Sequence, residues 1–461
     1  MGSVVVDPPY GLSAPPDIAV VLEAWLAGEA YSHGSAGFMA SKWDSFVPGP
    51  RVWREVLRVL KPGGFLVAFA GTRTVDLMGI SLRLAGWEIR DTIHWCYWSG
   101  FPKSLDVSKA VDGLFGMERT EEIGRGHHHR AADRSALALG AFAQSYQAGD
   151  HAKGSAILAP AHPDALRLAG TGTAIKPAIE PAILARKPLE AVPLSWFASQ
   201  GVDHIHTKAR AIATHPGVET ILTDGTRLPF KPGSVENVAA NVLRWGTGGL
   251  GIDRCRFRPG DVMWPGPDGN IPSEHSGRGA GSDGRTGINA IGTGIVSTPH
   301  QGGRFPANLL YCPKASRAER ELGCDGLPTK TGFEAVKRKE GAAGTLNPRA
   351  GAGRTSEGVR NFHPTVKPVR LMRYLVRLVT PPGEVVLDPF MGSGACGIAA
   401  TLEGYGYQGA EIDPDFHRIA ASRIAHAVEW PVSWAHTEPG SALEADDWVE
   451  KVTKAGQLGM F

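Results

Sequence analysis

The first patterned segment is Ser3 to Tyr10, SVVVDPPY, in which three consecutive valines run into Asp7-Pro8-Pro9. An apolar run that short, closed by prolines, predicts a buried strand ending abruptly at its carboxyl end. From Pro50 to Val59, apolar Val52, Trp53, Val56 and Leu57 recur at helical spacing, and Lys61-Pro62-Gly63-Gly64 stops the helix. Phe65 to Phe69 predicts a strand, Val75 to Ala85 a helix, and Trp87 to Tyr97 one or two strands. Order returns near the end, with a helix over Leu371 to Val379 and a strand over Val385 to Asp388. A tight Gly392-Ser393-Gly394 loop follows, then a helix over Cys396 to Glu403 and a strand over Tyr407 to Ile412. Strands alternating with helices in this way predict an α/β fold, a doubly wound, mostly parallel sheet with helices on both faces.

Between these ordered ends the pattern weakens. Residues 117–173 are dominated by Gly, Ala, His and Ser, with one helix expected near Ala131 to Ala143; the His127-His128-His129 run reads as solvated loop, not a metal site. Residues 174–350 are rich in Gly, Pro and basic residues. Ala182 to Arg186 and Val238 to Leu243 read as short strands or turns at most, and Leu222 to Val238 as turn-rich. The resulting division is a catalytic half at 1–116, a flexible insertion at 117–173 and an irregular substrate-facing module at 174–350. A cofactor-binding half at 351–426 and a loosely held tail at 427–461 complete it.

Composition narrows the class. With 461 residues and 42% hydrophobic content the chain can bury a large core. A net charge of +2 leaves open whether a nucleic acid is the partner, so the local distribution decides. Basic residues cluster from Lys314 to Arg377, including Arg317, Arg320, Lys330, Lys337, Arg338, Lys339, Arg354, Arg360, Arg370 and Arg373, a stretch suited to phosphate contacts. Five scattered cysteines without a C-x-x-C pair argue against a disulfide framework or structural zinc, and no apolar run is long enough for a membrane span. The expectation is a soluble, cytoplasmic protein with no bound metal.

Two strand ends carry chemistry. Ligands in open α/β sheets bind outside the carboxyl ends of strands, and both Asp7-Pro8-Pro9-Tyr10 and Asp388 to Gly394 sit there. A Gly-x-Gly turn lets backbone approach a ligand, and an acid one strand later, Glu411 followed by Asp413, suits ribose hydroxyls. An exocyclic amino group is a poor nucleophile because its lone pair is delocalised into the ring. Acceptors aimed at its two N–H bonds, the Asp7 carboxylate and the Pro8 carbonyl, would favour a tetrahedral nitrogen, and Tyr10 could stack on a base flipped out of its helix.

Together, DPPY, HPTVKP at His363 to Pro368 and DPFMGSG at Asp388 to Gly394 resemble the beta-class amino-methyltransferases of DNA, the adenine-N6 type of restriction-modification and orphan systems. RVLKPGG at Arg58 to Gly64, SGFPKS at Ser99 to Ser104 and KPAIEPAILARKP at Lys176 to Pro188 extend the likeness. The resemblance implies a class I methyltransferase fold that uses S-adenosyl-L-methionine, acts on DNA, and places 174–350 as the DNA-recognition module. It admits a homodimer and a cognate restriction endonuclease. It also implies Asp7, Pro8, Pro9 and Tyr10 as the amino-group site. His363, Thr365, Lys367, Asp388, Phe390, Gly392, Ser393, Gly394, Glu411 and Asp413 would be the cofactor site. Asp at position 7 favours adenine over cytosine N4 in that family; Trp95 and Lys103 are further base-pocket candidates, with core packing equally open for Trp95. Where the family has threonines this chain has Ala395 and Cys396, and where it has more chain ahead of DPPY the strand here opens almost at Met1. Alternatives left open are cytosine N4, RNA, a protein glutamine, or a DNA-binding relic without catalysis; carbon-5 cytosine chemistry is excluded because no Pro-Cys nucleophile is present. The whole reading requires the two loops to meet, so that a methyl donor held by one faces an amine gripped by the other, with Tyr10 and Phe390 close together on one side of the sheet.

Overall fold

A computed structural model describes residues 1–13, 15–34, 44–97, 100, 104–125, 156–192, 196, 199–200, 204–206, 218–220, 235–257, 261, 263, 303–331, 334 and 358–429. Seven strands form one sheet: β1 (Ser3–Val6), β2 (Phe65–Phe69), β3 (Glu88–Cys96), β6 (Ile179–Arg186), β9 (Leu309–Tyr311), β10 (Val385–Asp388) and β11 (Gly406–Gly409). Their spatial order is β11-β10-β1-β2-β6-β3-β9, and apart from this sheet β7 (His204–His206) pairs antiparallel with β8 (Val218–Thr220). All neighbours pair in parallel except β6, which runs antiparallel between β2 and β3. The expected doubly wound, mostly parallel sheet is therefore what the chain builds.

Helices cover both faces. Alternate residues of a strand point to opposite sides, and β1 shows the division: Val4 and Val6 pack with α1 (Ile18–Leu26), α2 (Pro50–Val59) and α3 (Val75–Leu84) through Trp25, Trp53 and Met78. Val5 faces the other way, into a core with Leu371 and Leu375 of the helix Val369–Val379 and Ala399 of the helix Ala395–Leu402. Val4, Val5 and Val6 are fully buried, each contributing about 1.5–3 kcal/mol. From β1 the chain winds toward β2, whereas from β10 it winds the opposite way to β11, so the switch point of the sheet lies between β1 and β10.

Two expectations for the middle of the chain are corrected. Ala182 to Arg186 belongs to an eight-residue central strand, buried because β2 and β3 flank it through residues far away in sequence. Val238 to Leu243 lies inside a helix, Val235–Trp245, whose Asn241 bonds the Asn237 carbonyl and both backbone groups of Glu190. In chain order that helix is α6, Arg317–Glu321 is α7, Val369–Val379 α8, Ala395–Leu402 α9 and Pro414–Ala425 α10. The helix expected near Ala131, the His127 run, the turn-rich stretch 222–234, Lys103 and the tail from 430 onward lie outside the described residues.

Residues Ser99–Ala178 form a separate compact unit. Within it α4 (Val107–Leu114) packs on α5 (Pro163–Arg167), and β4 (Glu122–Arg125) pairs antiparallel with β5 (Ala156–Leu158). The buried Asp112 carboxylate ties it together by accepting from Arg119 Nε at 2.5 Å and from the backbone N–H of His162 at 2.8 Å. Among the described residues no helix is long and apolar enough to cross a membrane.

Candidate active site

The loop after β1 is pinned before it reaches the site. The buried Asp44 carboxylate accepts from the backbone N–H of Tyr10 at 2.8 Å and of Gly11 at 3.2 Å, and the Thr74 hydroxyl donates to the Tyr10 carbonyl at 2.6 Å. Gly11, at φ +65, has no room for a side chain against the Phe46–Val47 backbone. The held loop presents Asp7 to Lys367, whose Nζ lies 2.6 Å from Asp7 Oδ2 and 3.3 Å from Glu180 Oε2. Tyr10 donates its hydroxyl to the same Glu180 Oε2 at 2.9 Å, and Lys314 reaches Glu180 Oε1 at 3.3 Å.

Asp7 Oδ1 is buried and has no hydrogen-bond partner, alone in that respect among the carboxylate oxygens of the described residues. A buried, unmet acceptor is costly, about 1–3 kcal/mol, and marks a place where a donor is missing. Burial pushes the Asp7 carboxyl above its ordinary range, with Glu180 adding to the rise and Lys367 opposing it. Burial also works against the Lys367 charge, but Asp7 and Glu180 outweigh it and hold the ammonium above its usual value. The ammonium lies 4.9 Å from the ring centre of Phe69, 5.2 Å from Tyr10 and 5.8 Å from Trp95, so aromatic faces complete its surroundings. Trp95 is 2% exposed with its Nε1 donating to the Cys312 carbonyl at 2.6 Å, so it is a core residue lining this charge cluster.

The second loop leaves β10. Gly394 has φ +81 where it caps α9, and a Cβ there would strike the Ala420 backbone at 3.0 Å; Gly392 has φ +55, and a Cβ there would lie 3.0 Å from His363 Nε2. Both positions thus need glycine, because the His363 ring and the Ala420 backbone already occupy the space a side chain would take; the tight loop against the His363 ring is the candidate cradle. Glu411 spans the mouth: Oε2 accepts from Gly392 N–H at 2.8 Å and Oε1 from Asp413 N–H at 3.0 Å, leaving lone pairs for other donors. Asp388 Oδ1 accepts from Phe390 N–H at 3.2 Å, and the Tyr407 hydroxyl donates to Oδ2 at 3.4 Å. Burial raises the Asp388 carboxyl to about 8, despite these bonds and with Asp7 and Glu411 adding repulsion. His363 is driven down to about 3 by burial, then by the Arg320, Lys367 and Arg423 cations, so it is a neutral imidazole. Its Nδ1 faces the Thr365 N–H at 3.4 Å as acceptor, which assigns the proton to Nε2 on the cradle side.

The structure brings most of the expected residues together and redistributes a few. β1 and β10 are adjacent and parallel, with Val4 opposite Leu387, so both loops leave the same sheet end side by side. Their aromatic side chains diverge: Tyr10 packs with the core on the Val5 face, while Phe390 turns to the other face, 6.2 Å from Trp53, so the expectation that these two rings share one side of the sheet is not met, and only the loop backbones lie side by side. Lys367, expected at the cofactor, pairs with Asp7. Asp413 is occupied as the N-cap of α10, accepting from Asp415 and Phe416 N–H at 2.9 and 3.3 Å. Thr365 is exposed and meets His363 only through its backbone N–H. Ser393 is buried, its carbonyl and hydroxyl both accepting from Arg423 Nη1, at 2.6 and 3.2 Å.

Residues 331–422 match the family model described as DNA methylase, of the N6/N4 type. Those residues carry the DNA methylase signature. The methylase segment takes in His363 to Pro368, Asp388 to Gly394 and Glu411, whereas Asp7 to Tyr10 lie outside it. Over 92 residues, 20% of this chain, it is 33% identical to the type II methyltransferase M.Cfr9I of Citrobacter freundii and covers 31% of that protein. It is 32% identical to the type II methyltransferase M.XycI of Xanthomonas campestris pv. cyanopsidis over 92 residues, again 20% of this chain and 31% of that protein. The matched stretch thus spans less than a third of either relative. The solved PvuII DNA methyltransferase (cytosine-N4-specific) aligns over 95% of this chain and 86% of its own, at 11% identity and a TM-score of 0.35.

Several residues around the two loops escaped the sequence reading. Glu180 stood within a quoted motif, but its role depends on β6 bringing it opposite Trp95. Arg423, fully buried behind Ser393, carries no local signal at all. Ile412, next to Glu411, is 89% exposed, an apolar surface at the mouth of the cradle. The basic run, by contrast, is divided between covered side chains such as Arg373 and Arg377 and partly exposed ones such as Lys314 and Arg360, most of them paired with acids. Arg320 donates to the His363 carbonyl, Arg373 and Arg377 pair with Glu403, Lys330 with Asp415, Arg360 with Asp325 and Lys314 with Glu180. These described cations hold the fold and the site; Lys337, Arg338, Lys339 and Arg354 lie outside the described residues.

Proposed function

We propose that the chain transfers a methyl group from S-adenosyl-L-methionine directly to the exocyclic N6 amino group of an adenine flipped out of DNA. The observation that carries this reading is Asp7 Oδ1, a buried acceptor without a donor, on the strand next to the glycine loop. The amine of a base entering there would give Asp7 one N–H, with the Pro8 carbonyl as the second acceptor, drawing the nitrogen lone pair out of conjugation. Tyr10, tethered through its hydroxyl and backbone, offers its ring to the base.

The cofactor fits the residues present. Gly392 and Gly394 form a tight loop that exposes backbone without side chains, Glu411 retains acceptor capacity for ribose hydroxyls, Ile412 offers an apolar shelf, and His363 Nε2 a neutral donor. Asp388 and Asp7 add acidic groups that suit a cationic donor. Bound there, S-adenosyl-L-methionine supplies an electrophilic methyl carbon, and the bond to sulfur breaks as the new bond to nitrogen forms. Asp7 then stands as the first acceptor for the proton that the methylated amine must lose. No covalent bond to the protein is needed. The 174–350 stretch holds the DNA in this reading, and the enzyme works in the cytoplasm.

Cytosine N4 is the second reading, because the same acceptors would serve an amino group of either base. Incubating the protein with DNA and methyl-labelled S-adenosyl-L-methionine, then analysing nucleosides by mass spectrometry, separates the two. Labelled N6-methyladenine is expected; N4-methylcytosine alone selects the second reading, and label in neither overturns both.

A further inference from the structure

We propose that Glu180 is a positioning residue for methyl transfer: by sharing the Lys367 ammonium and holding the Tyr10 hydroxyl, it keeps one Asp7 oxygen free for the incoming amine. The proposal rests on the reading of Asp7 as the amino-group acceptor. Glu180 reaches the site from β6, the antiparallel strand, and its side chain is 14% exposed. It meets Tyr10, Lys367 and Lys314 through its two oxygens, with the Tyr97 hydroxyl as a further neighbour.

The arithmetic of donors makes the case. An ammonium has three protons. One Lys367 proton meets Asp7 Oδ2 at 2.6 Å and one meets Glu180 Oε2 at 3.3 Å, while the aromatic faces of Phe69, Tyr10 and Trp95 surround the ammonium at 4.9–5.8 Å. Remove the Glu180 charge and only a neutral oxygen is left to share the ammonium, so the second proton turns toward Asp7 and competes with an incoming amine for Oδ1. Charge balance points the same way. Asp7 and Glu180 now offset Lys367 and Lys314; without Glu180 a surplus positive charge would face a cationic methyl donor. The Tyr10 hydroxyl would keep only a neutral acceptor in place of the carboxylate that now fixes it.

The test uses the full chain, with single-turnover methylation of DNA as readout and binding of S-adenosylhomocysteine as the check on folding. Glu180→Gln keeps the shape and an oxygen for Tyr10 but drops the charge. It should lower kcat about 10²-fold, the scale of a small misplacement at a reacting centre, with affinity for the cofactor product kept. In a Lys367→Met background the same change should cost less than about threefold, because no ammonium remains to be shared. A Glu180→Gln enzyme at wild-type kcat, an equal loss in both backgrounds, or loss of cofactor binding along with kcat would each overturn the role. A wild-type protein that methylates neither base would overturn the functional reading itself, whereas an active wild type with an unimpaired Glu180→Gln variant would remove only Glu180.

Discussion

Replacing Asp7 by asparagine separates the acceptor from the charge without changing shape. A carboxylate presents two acceptor oxygens; an amide presents one acceptor and one donor. Lys367 sits 2.6 Å from Oδ2 and can tolerate only an oxygen there, so the amide nitrogen must occupy the position of the unmet Oδ1. A donor would then confront the donor of the incoming amine. The loss should resemble removal of an aimed hydrogen-bonding group at a reaction centre, about 10²–10³-fold in kcat. Stability should change less, by about 1–3 kcal/mol, since Glu180 still partners Lys367. The assay is single-turnover methyl incorporation into DNA, with S-adenosylhomocysteine affinity measured alongside and expected to stay close to wild type. A second variant sharpens it: in Asp7→Asn with Lys367→Met the amide is free to turn its oxygen toward the base, and part of the rate should return. A wild-type rate in Asp7→Asn, or no difference between the single and double variants, would refute this account of the acceptor.

Other parts of the site give further expectations. Gly392→Val forces a β-branched residue into φ +55 with its Cβ 3.0 Å from His363 Nε2, so cofactor affinity by calorimetry should fall at least about tenfold; unchanged affinity would clear the loop of that role. Asp388, raised to about 8 by burial, is protonated in the empty site at neutral pH, and a cation seated beside it favours the ionised form. Cofactor binding should therefore release a proton below pH 8, and affinity should climb as pH rises toward 8 and level off above it; calorimetry in buffers of different ionisation enthalpy reads the proton directly. Arg423→Met strips donors from the Ser393 and Glu319 carbonyls, at about 1–3 kcal/mol for each buried acceptor left unmet, and should lower the urea midpoint and weaken cofactor binding together. Retained stability in that variant would mean the carbonyls find other partners.

What the sequence makes legible is local. The strands before Asp7 and Asp388 announce themselves because an apolar run and its stop sit within a few residues, and the parallel architecture follows from their alternation with helices. β6 escapes because its burial is decided by β2 and β3, and its six buried residues carry no period of their own. The helix Val235–Trp245 is hidden by the Gly- and Pro-rich composition around it, although Asn237 and Asn241 stand one turn apart on its buried side. At the site, the motifs name Asp7, Gly392 and Glu411. They misplace Lys367, whose partner is set by tertiary approach, and they are silent on Glu180, which meets Tyr10 from 170 positions away. The basic run shows the opposite error, since charge density along a chain says nothing about whether Arg373 or Lys330 has an internal acid.

The seam through the middle of the sheet joins the earliest strand to one made near the end. Ser3 and Thr380, hydroxyl to hydroxyl at 2.8 Å, are 377 residues apart. At about 5–20 residues per second on the ribosome, β1 waits on the order of tens of seconds for β10. Until then its edge is an open template for strands of neighbouring nascent chains, and the crevice between the two loops has only one wall. A chain truncated anywhere before β10 would therefore accumulate with a sticky edge and no cofactor to rescue it.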